Sequence, residues 1–263
     1  MGKMRSPCIG SETYICNGCI FFTDLIDPRP DPEWTSLEQA VGGGPLLIRD
    51  GKILIDGEAE GFPRPSFVDQ RHPRTALGVD ADGKLLLVTV DGRTAFSQGT
   101  SLAELASIML RLGAVHAMNL DGGGSTTMVV NNLVVNAPSD GTERPVANGL
   151  LVYARQSPDD ENHRQPGALH IGINSASALP SSPSLTDGLL TLNVGAHVRL
   201  EVLDDTTKAV PVNRILWGTP GGFGFVSQIG DFVATRPGDG RLCAQIGTSK
   251  LEIRVHVVAT PSK

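Results

Sequence analysis

Residues 38–55 read EQAVGGGPLLIRDGKILI, two short apolar runs on either side of Asp50-Gly51. That dipeptide suits the left-handed positions of a tight hairpin turn. The form returns over residues 74–90, as RTALGVD, then ADG, then KLLLVTV, and Asp91-Gly92 turns the chain once more. At Thr100 the period changes from two to that of a helix. Leu102, Leu105, Ile108, Met109 and Leu112 recur along one face, Ser101 and Glu104 make a capping box, and Gly113 supplies a stop. The spacing predicts a helix over 100–113. Residues 115–120 then read as a buried strand, 127–135 as a hairpin around Asn131-Asn132, and 146–153 as a closing strand. Hairpins outnumber crossovers, so the fold class is α+β, a mixed sheet with few helices.

Residues 154–167, ARQSPDDENHRQPG, are polar and charged and carry two prolines, which reads as a linker. Strand-like runs follow at 189–192, 197–203, 214–217, 224–229, 231–235, 240–246 and 251–258, separated by Gly, Pro and Asp. Short strands at this interval predict a small all-β sandwich, with Trp217 as a core anchor.

Composition narrows the function classes. The 263 residues are 40% hydrophobic and 19% charged, a balance that can build cores, while 31 glycines and 18 prolines agree with many turns. The net charge of -6, without a basic tract, argues against a nucleic-acid partner. No apolar run reaches the length of a membrane span, and the first residues lack a signal-peptide apolar core. Cys16 and Cys19 have the spacing of a metal or redox pair, but no second pair follows, so a structural or incidental role is the better reading. Cys8 and Cys243 add nothing to it.

The chemistry gathers at VHAMNLDGGGSTTMVVN, residues 115–131. An apolar strand delivers Asn119 and Asp121 to Gly122, Gly123 and Gly124, and then to Ser125, Thr126 and Thr127. Strand alternation puts Asn119 and Asp121 on one side. Three residues without Cβ let the backbone approach a ligand, and successive N–H groups there can converge on an anion. The plainer alternative is a tight turn with Asp121 as an Asx-type cap. No GKS or GKT follows the glycines, which excludes a nucleotide P-loop. Arg74, after Pro73 at a strand start, is costly to bury unless it meets an anion or carboxylate. Arg144, in SDGTERPVAN, has a similar setting, and the two could clamp a phosphate. His72 is open between general acid, metal ligand and surface residue; Gly43 and Gly44 open backbone toward the same pocket or form a turn. Asp140 and Glu143 read as solvated loop carboxylates.

Residues 42–152 resemble the phosphodiester glycosidase domain family, which includes the lysosomal uncovering enzyme, N-acetylglucosamine-1-phosphodiester alpha-N-acetylglucosaminidase, and many bacterial relatives. GGGPLLIRDGK at 42–52, RHPRTALGVD at 71–80, NLDGGGSTTMVV at 119–130 and PSDGTERPVANGLLV at 138–152 carry the resemblance, in order. It implies functional roles for Arg74, Asp121 and the turn Gly122 to Ser125, with Arg144 and Asn148 in the closing motif. Family domains carry a further N-terminal segment with an Asn-Gly-Gly-Phe-Phe type motif; 23 residues precede Asp24 here, so the chain is expected to be an N-terminally truncated member. Residues 198–258 resemble a bacterial immunoglobulin-like module. The implied domains are a phosphodiester glycosidase domain at 24–154, a linker at 155–168 and an immunoglobulin-like sandwich at 169–260.

The activity implied is hydrolysis of a sugar-1-phosphodiester at the anomeric bond, on a cell-surface glycoconjugate or exopolysaccharide, releasing free sugar and a phosphomonoester. Catalysis would fall to Asp121, Arg74 and Arg144. Substrate binding would fall to Asn119, Gly122, Gly123, Gly124, Ser125, Thr126, His72, Asn148, Gly43 and Gly44. No cofactor is called for, although a divalent cation at Asp121 stays open. The partner is a carbohydrate phosphodiester, and the resemblance implies a secreted or cell-surface protein. Two alternatives are a non-catalytic carbohydrate- or wall-binding protein and a metal-dependent phosphodiesterase that cuts the P–O bond.

Overall fold

The computed structural model describes residues 12–16, 19–23, 39–94, 96–153, 168–174, 183–220 and 222–259. The expected linker, Cys8 and the signal-peptide region before residue 12 lie outside them. The described residues fall into two compact units, one within Met1–Thr126 and Arg144–Leu150, the other within Thr127–Glu143 and Leu151–Lys263.

In the first unit, β1 (Glu12–Cys16), β2 (Cys19–Thr23) and β3 (Gln39–Gly42) form an antiparallel sheet in the order β2-β1-β3, with Cys16 opposite Cys19 in register. A second antiparallel sheet has the order β5-β4-β8-β6-β7. It is built from β4 (Leu46–Arg49), β5 (Lys52–Ile53), β6 (Arg74–Asp80), β7 (Leu85–Val90) and β8 (Ala114–Asn119). The first hairpin turns as expected, with Asp50 and Gly51 at φ 49° and 72°.

Helix α1 (Leu102–Arg111) forms within the expected window. Ser101 accepts from the Glu104 N–H while the Glu104 carboxylate accepts from the Ser101 N–H, so two otherwise orphaned donors are satisfied. Leu102, Leu105, Ala106 and Met109 are buried in one cluster with Leu47, Ile48, Ala76, Ala114 and Ala117 of the sheet. Each large side chain there contributes about 1.5–3 kcal/mol relative to exposure. Residue 78 must be small for this packing, since a Cβ would stand 2.5 Å from the Met109 methyl. Leu112 departs from the expected stripe: as the C-cap it lies past the last turn and is half exposed.

The expected strand at 146–153 is not formed. No strand is present there, and Val146, Leu151, Val152 and Tyr153 are exposed. The run is divided, 144–150 with the first unit and 151–153 with the second, so no one sheet receives it.

In the second unit, β9 (Val129–Val130) and β10 (Leu133–Val134) make the expected hairpin, with Asn131 and Asn132 at φ 49° and 61°. Nine further strands follow: β11 (His170–Ile173), β12 (Ser184–Thr186), β13 (Leu189–Asn193), β14 (His197–Leu203), β15 (Leu216–Gly218), β16 (Gly224–Val226), β17 (Asp231–Ala234), β18 (Gly238–Ile246) and β19 (Ser249–Val258). They form two sheets, β11-β14-β17-β16 and β12-β13-β19-β18-β15. All pairs are antiparallel except β13 with β19. One apolar cluster takes Val198, Leu200 and Phe232 from the first sheet and Leu190, Trp217, Leu242 and Val255 from the second. Trp217 is fully buried, and the Gln228 amide brackets its backbone, accepting from its N–H at 3.0 Å and donating to its carbonyl at 2.9 Å. The β9–β10 hairpin belongs here because Leu133 and Val134 press on Gly218, where a Cβ would stand 2.5 Å from the Val134 carbonyl oxygen. Sequence reading missed β11 and β12, and it started β15 early, where a 3₁₀ turn occupies Val212–Arg214.

Candidate functional site

In the five-stranded sheet the starts of β4 and β6 and the ends of β7 and β8 lie at one end. Leu46 pairs with Met118, Ala76 with Asn119 and Arg74 with Val90. Three segments far apart in sequence, 42–44, 72–74 and 119–125, therefore meet.

Asn119 holds the first of these contacts. Its carbonyl accepts from the Gly44 N–H at 2.6 Å, its N–H donates to the Pro45 carbonyl at 3.1 Å, and its Nδ2 donates to the carbonyls of Gly44 at 2.7 Å and Leu120 at 2.9 Å. The side chain is 1% exposed. Gly43 and Gly44 earn their place sterically. A Cβ at 43 would lie 2.7 Å from the Asn119 carbonyl oxygen, and one at 44 would lie 2.6 Å from the Phe62 ring.

Arg74 is 2% exposed, and among the described residues its guanidinium pairs with backbone carbonyls rather than with a carboxylate. Nε donates to the Thr100 carbonyl at 3.0 Å, and Nη2 donates to those of Phe67 at 2.6 Å and Gln70 at 3.1 Å. Its Cζ stands 5.1 Å from the centre of the Phe67 ring. Burial, and then the charge of Arg93, lower its pKa to about 10, so it stays a cation at neutral pH. Three carbonyls supply what the sequence argument sought from an anion.

Beyond Asn119 the strand is over, and strand alternation ends with it. Asp121 is exposed rather than facing inward with Asn119, because it stands in the turn. Its Oδ1 accepts from the Gly122 N–H at 2.9 Å. The Gly123 N–H donates to the Pro73 carbonyl at 2.9 Å, and the Ser125 and Thr126 N–H groups close a 3₁₀ turn on Gly122 and Gly123. Those four donors are held within the chain instead of converging on one open point. Gly122 is wedged against β6, with a Cβ there 2.7 Å from the Pro73 carbonyl oxygen, and Gly123 has φ 61°. Gly124 and Thr126 are buried, and the Thr75 hydroxyl reaches the Thr126 hydroxyl at 3.4 Å. Ser125 is part-exposed.

His72 is bound at both ring nitrogens. The Ser66 carbonyl lies 2.7 Å from Nε2, which therefore carries the proton, and Nδ1 accepts from Arg93 Nη2 at 3.0 Å. Arg93 itself was missed in the sequence. It follows Asp91-Gly92 in the turn after β7, has φ 56°, and lays its guanidinium beside Gly123, with Nη1 3.2 Å from where a Cβ would be. Glu60 was also missed: both its oxygens accept from the Leu46 N–H, at 3.0 and 3.2 Å, which places a second carboxylate beside Gly44. Neither had a sequence signal beyond its residue type.

Arg144 and Asn148 lie in an exposed segment, as do Asp140 and Glu143. Among the described residues no three His, Cys, Asp or Glu side chains gather in a metal-binding group, and no helix is long and apolar enough to cross a membrane.

Comparison with known proteins agrees with the segment that this geometry singles out. Residues 24–153 match the family model described as phosphodiester glycosidase. The chain is 40% identical over 112 residues to the N-acetylglucosamine-1-phosphodiester alpha-N-acetylglucosaminidase of Bos taurus, covering 39% of this chain and 21% of that protein. It is 35% identical over 124 residues to the SPbeta prophage-derived uncharacterized protein YomE of Bacillus subtilis (strain 168), covering 47% and 19%. The chain thus spans about a fifth of the length of these relatives. Among solved structures, the catalytic domain of zebrafish N-acetylglucosamine-1-phosphodiester alpha-N-acetylglucosaminidase, auto-inhibited by its pro-peptide, aligns at 32% identity. That alignment covers 49% of this chain and 45% of the other, with a TM-score of 0.42. Residues 24–153 are thus the part of the chain that is similar to the phosphodiester glycosidase family.

Proposed function

We propose that this domain hydrolyses a sugar-1-phosphodiester at the anomeric bond, releasing free sugar and a phosphomonoester. The observation that carries the reading is the exposed Asp121 carboxylate at the mouth of a glycine turn that abuts a guanidinium. Such a pair supplies the two things the reaction needs. The carboxylate acts as base toward water, as nucleophile, or as support for the oxocarbenium-like sugar. The cation meets charge growing on the leaving phosphate, whose second pKa of about 6 lets it depart with little protonation. In this reading Arg74 works from beneath, holding the carbonyls of Phe67, Gln70 and Thr100 in place, and Arg144 and Asn148 reach the substrate from their exposed segment. Asn119, Gly43 and Gly44 shape the sheet end, and Ser125 offers its hydroxyl.

The domain limits in this reading are 24–154, with 169–260 as an immunoglobulin-like module that attaches or spaces the enzyme on a cell-surface glycoconjugate or polysaccharide. The two mostly antiparallel sheets sharing one apolar cluster and the buried Trp217 support the module. A secreted or surface-bound protein fits such a substrate.

Incubation with a UDP-sugar tests the reaction. Cleavage of the anomeric C–O bond gives UDP and free sugar that carries the solvent oxygen, seen by isotope labelling of the water; cleavage of the pyrophosphate P–O bond gives sugar-1-phosphate and UMP. Free sugar from the wild type, reduced about 10²–10⁴-fold in Asp121→Asn with an unchanged thermal transition, is expected. Sugar-1-phosphate as the product, or full activity in the variant, would sink the assignment.

A further inference from the structure

We propose that Arg93 is the anion-binding side chain of this site, engaging phosphate oxygens in front of the Gly122–Ser125 turn, and that His72 is the residue that aims it. The inference rests on the phosphodiester reading only for the identity of the anion; the placement of the guanidinium stands by itself.

Five observations converge. Arg93 is exposed, and among the described residues no carboxylate lies within ion-pair distance of it. A second guanidinium, that of Arg74, is near enough to feel its charge, and that one is closed off by carbonyls. Two cations side by side, neither in ion-pair contact with a carboxylate among the described residues, make a local positive potential that an incoming anion would relieve. The guanidinium is also fixed, which distinguishes it from an ordinary surface arginine. His72 accepts its Nη2–H, the same imidazole donates to the Ser66 carbonyl, and the His72 backbone is bridged in both directions to Thr100. The backbone under Arg93 is fixed as well. Gly92 is wedged where a Cβ would stand 2.7 Å from the Pro73 nitrogen, and Arg93 holds a left-handed φ of 56°. A bulky residue keeps that conformation when its surroundings over-determine it, as they do at ligand sites. Finally, residue 123 has no side chain, and a Cβ there would lie 3.2 Å from Nη1. The planar fork with its five donors is the group best matched to two phosphate oxygens.

The chemistry specifies a phosphodiester or phosphomonoester rather than a neutral glycoside. His72 is then a positioning residue, and its neutral form is the one that accepts from Arg93; it is not the general acid of the reaction.

Binding of inorganic phosphate to the full chain, measured by calorimetry or by ³¹P line broadening, tests this without requiring turnover. The wild type should bind at millimolar phosphate or tighter. Arg93→Gln should weaken binding about tenfold or more, while Arg93→Lys, which keeps a point charge but not the fork, should fall between. Arg111→Gln, at the exposed end of α1, should bind as wild type does. His72→Phe, which removes the acceptor, should weaken binding, and His72→Gln, whose carbonyl oxygen can accept the same hydrogen bond, should recover most of it. Wild-type affinity in Arg93→Gln, or no phosphate binding by the wild type, overturns the proposal; equal loss in both His72 variants overturns the aiming role. Phosphate binding that depends on Arg93 in a chain that releases no free sugar would refute the glycosidase reading and leave this site standing.

Discussion

The Asn119 carbonyl oxygen stands 2.7 Å from the position a Cβ would take at Gly43, and the neighbouring Gly44 N–H already donates to it at 2.6 Å. The first glycine of the triplet, Gly42, has nothing within 4 Å of the same test position. Gly43→Ala should therefore destabilise the first unit by about 1–3 kcal/mol through forced backbone movement. Gly42→Ala should stay within about 0.5 kcal/mol of wild type. Urea unfolding followed on the two variants checks the contrast, and equal midpoints would remove the steric account.

Arg74 ties three carbonyls from two loops. Arg74→Met removes a donor from all three, although the Thr100 carbonyl keeps the His72 N–H, and a loss of about 1–3 kcal/mol is expected. Arg74→Lys should recover little, because one ammonium cannot span the same three acceptors. Calorimetric unfolding of both variants decides the point. A lysine variant as stable as wild type would show that charge, rather than the fork, holds the loops.

The cap of α1 should make stability depend on acid. Hydrogen bonding from the Ser101 N–H, and after it the Arg71 guanidinium, holds the Glu104 carboxyl below its usual 4.5. A depressed carboxyl pKa stabilises the fold above the unfolded value and loses that contribution as pH falls through the folded one. Glu104→Gln should thus be less stable than wild type at pH 7, with the difference closing below pH 4.5. Ser101→Ala, which removes the reciprocal bond, should cost about 1 kcal/mol. Thermal midpoints across pH 2.5 to 7 provide the check, and a difference that widens in acid would reverse the sign argued here.

Trp217 is fully buried in the core shared by the two β-sheets of the second unit. Trp217→Ala should cost about 3–5 kcal/mol, felt in the unfolding of that unit. Intrinsic fluorescence of the variant reports on Trp34 alone, so circular dichroism is the better probe. A shift of less than 1 °C would deny the residue its place in the core.

The elements read most clearly from sequence were those decided within a few residues. Asp50-Gly51 and Asn131-Asn132 announce their hairpins because the left-handed conformations they adopt are rare for other residues. Ser101 and Glu104 announce α1 because the capping box is local. The strand at 146–153 failed because alternation promises a buried face only if a neighbouring strand accepts it, and none does. The site was legible as a set of segments, not as roles. NLDGGGSTT named the turn, but the side Asp121 faces depends on where β8 ends, one residue after Met118. Arg74 was conspicuous for its cost in a core, yet its partners are backbone carbonyls, which carry no residue type. Arg93 was invisible because its meaning comes from two tertiary neighbours, His72 and Gly123, brought to it by the pairing of β6 with β7 and β8.

The chain passes from one compact unit to the other between Thr126 and Thr127, directly after the turn's hydroxyls, and returns to the first for Arg144–Leu150. Neither unit is thus a contiguous cassette. A recombination event, or an engineer's cut, in the polar stretch near residue 160 would separate Leu133 and Val134 from the Gly218 surface on which they rest. Inheritance of the β-rich module therefore carries with it part of the sequence that follows the glycine turn, and drift in one constrains drift in the other.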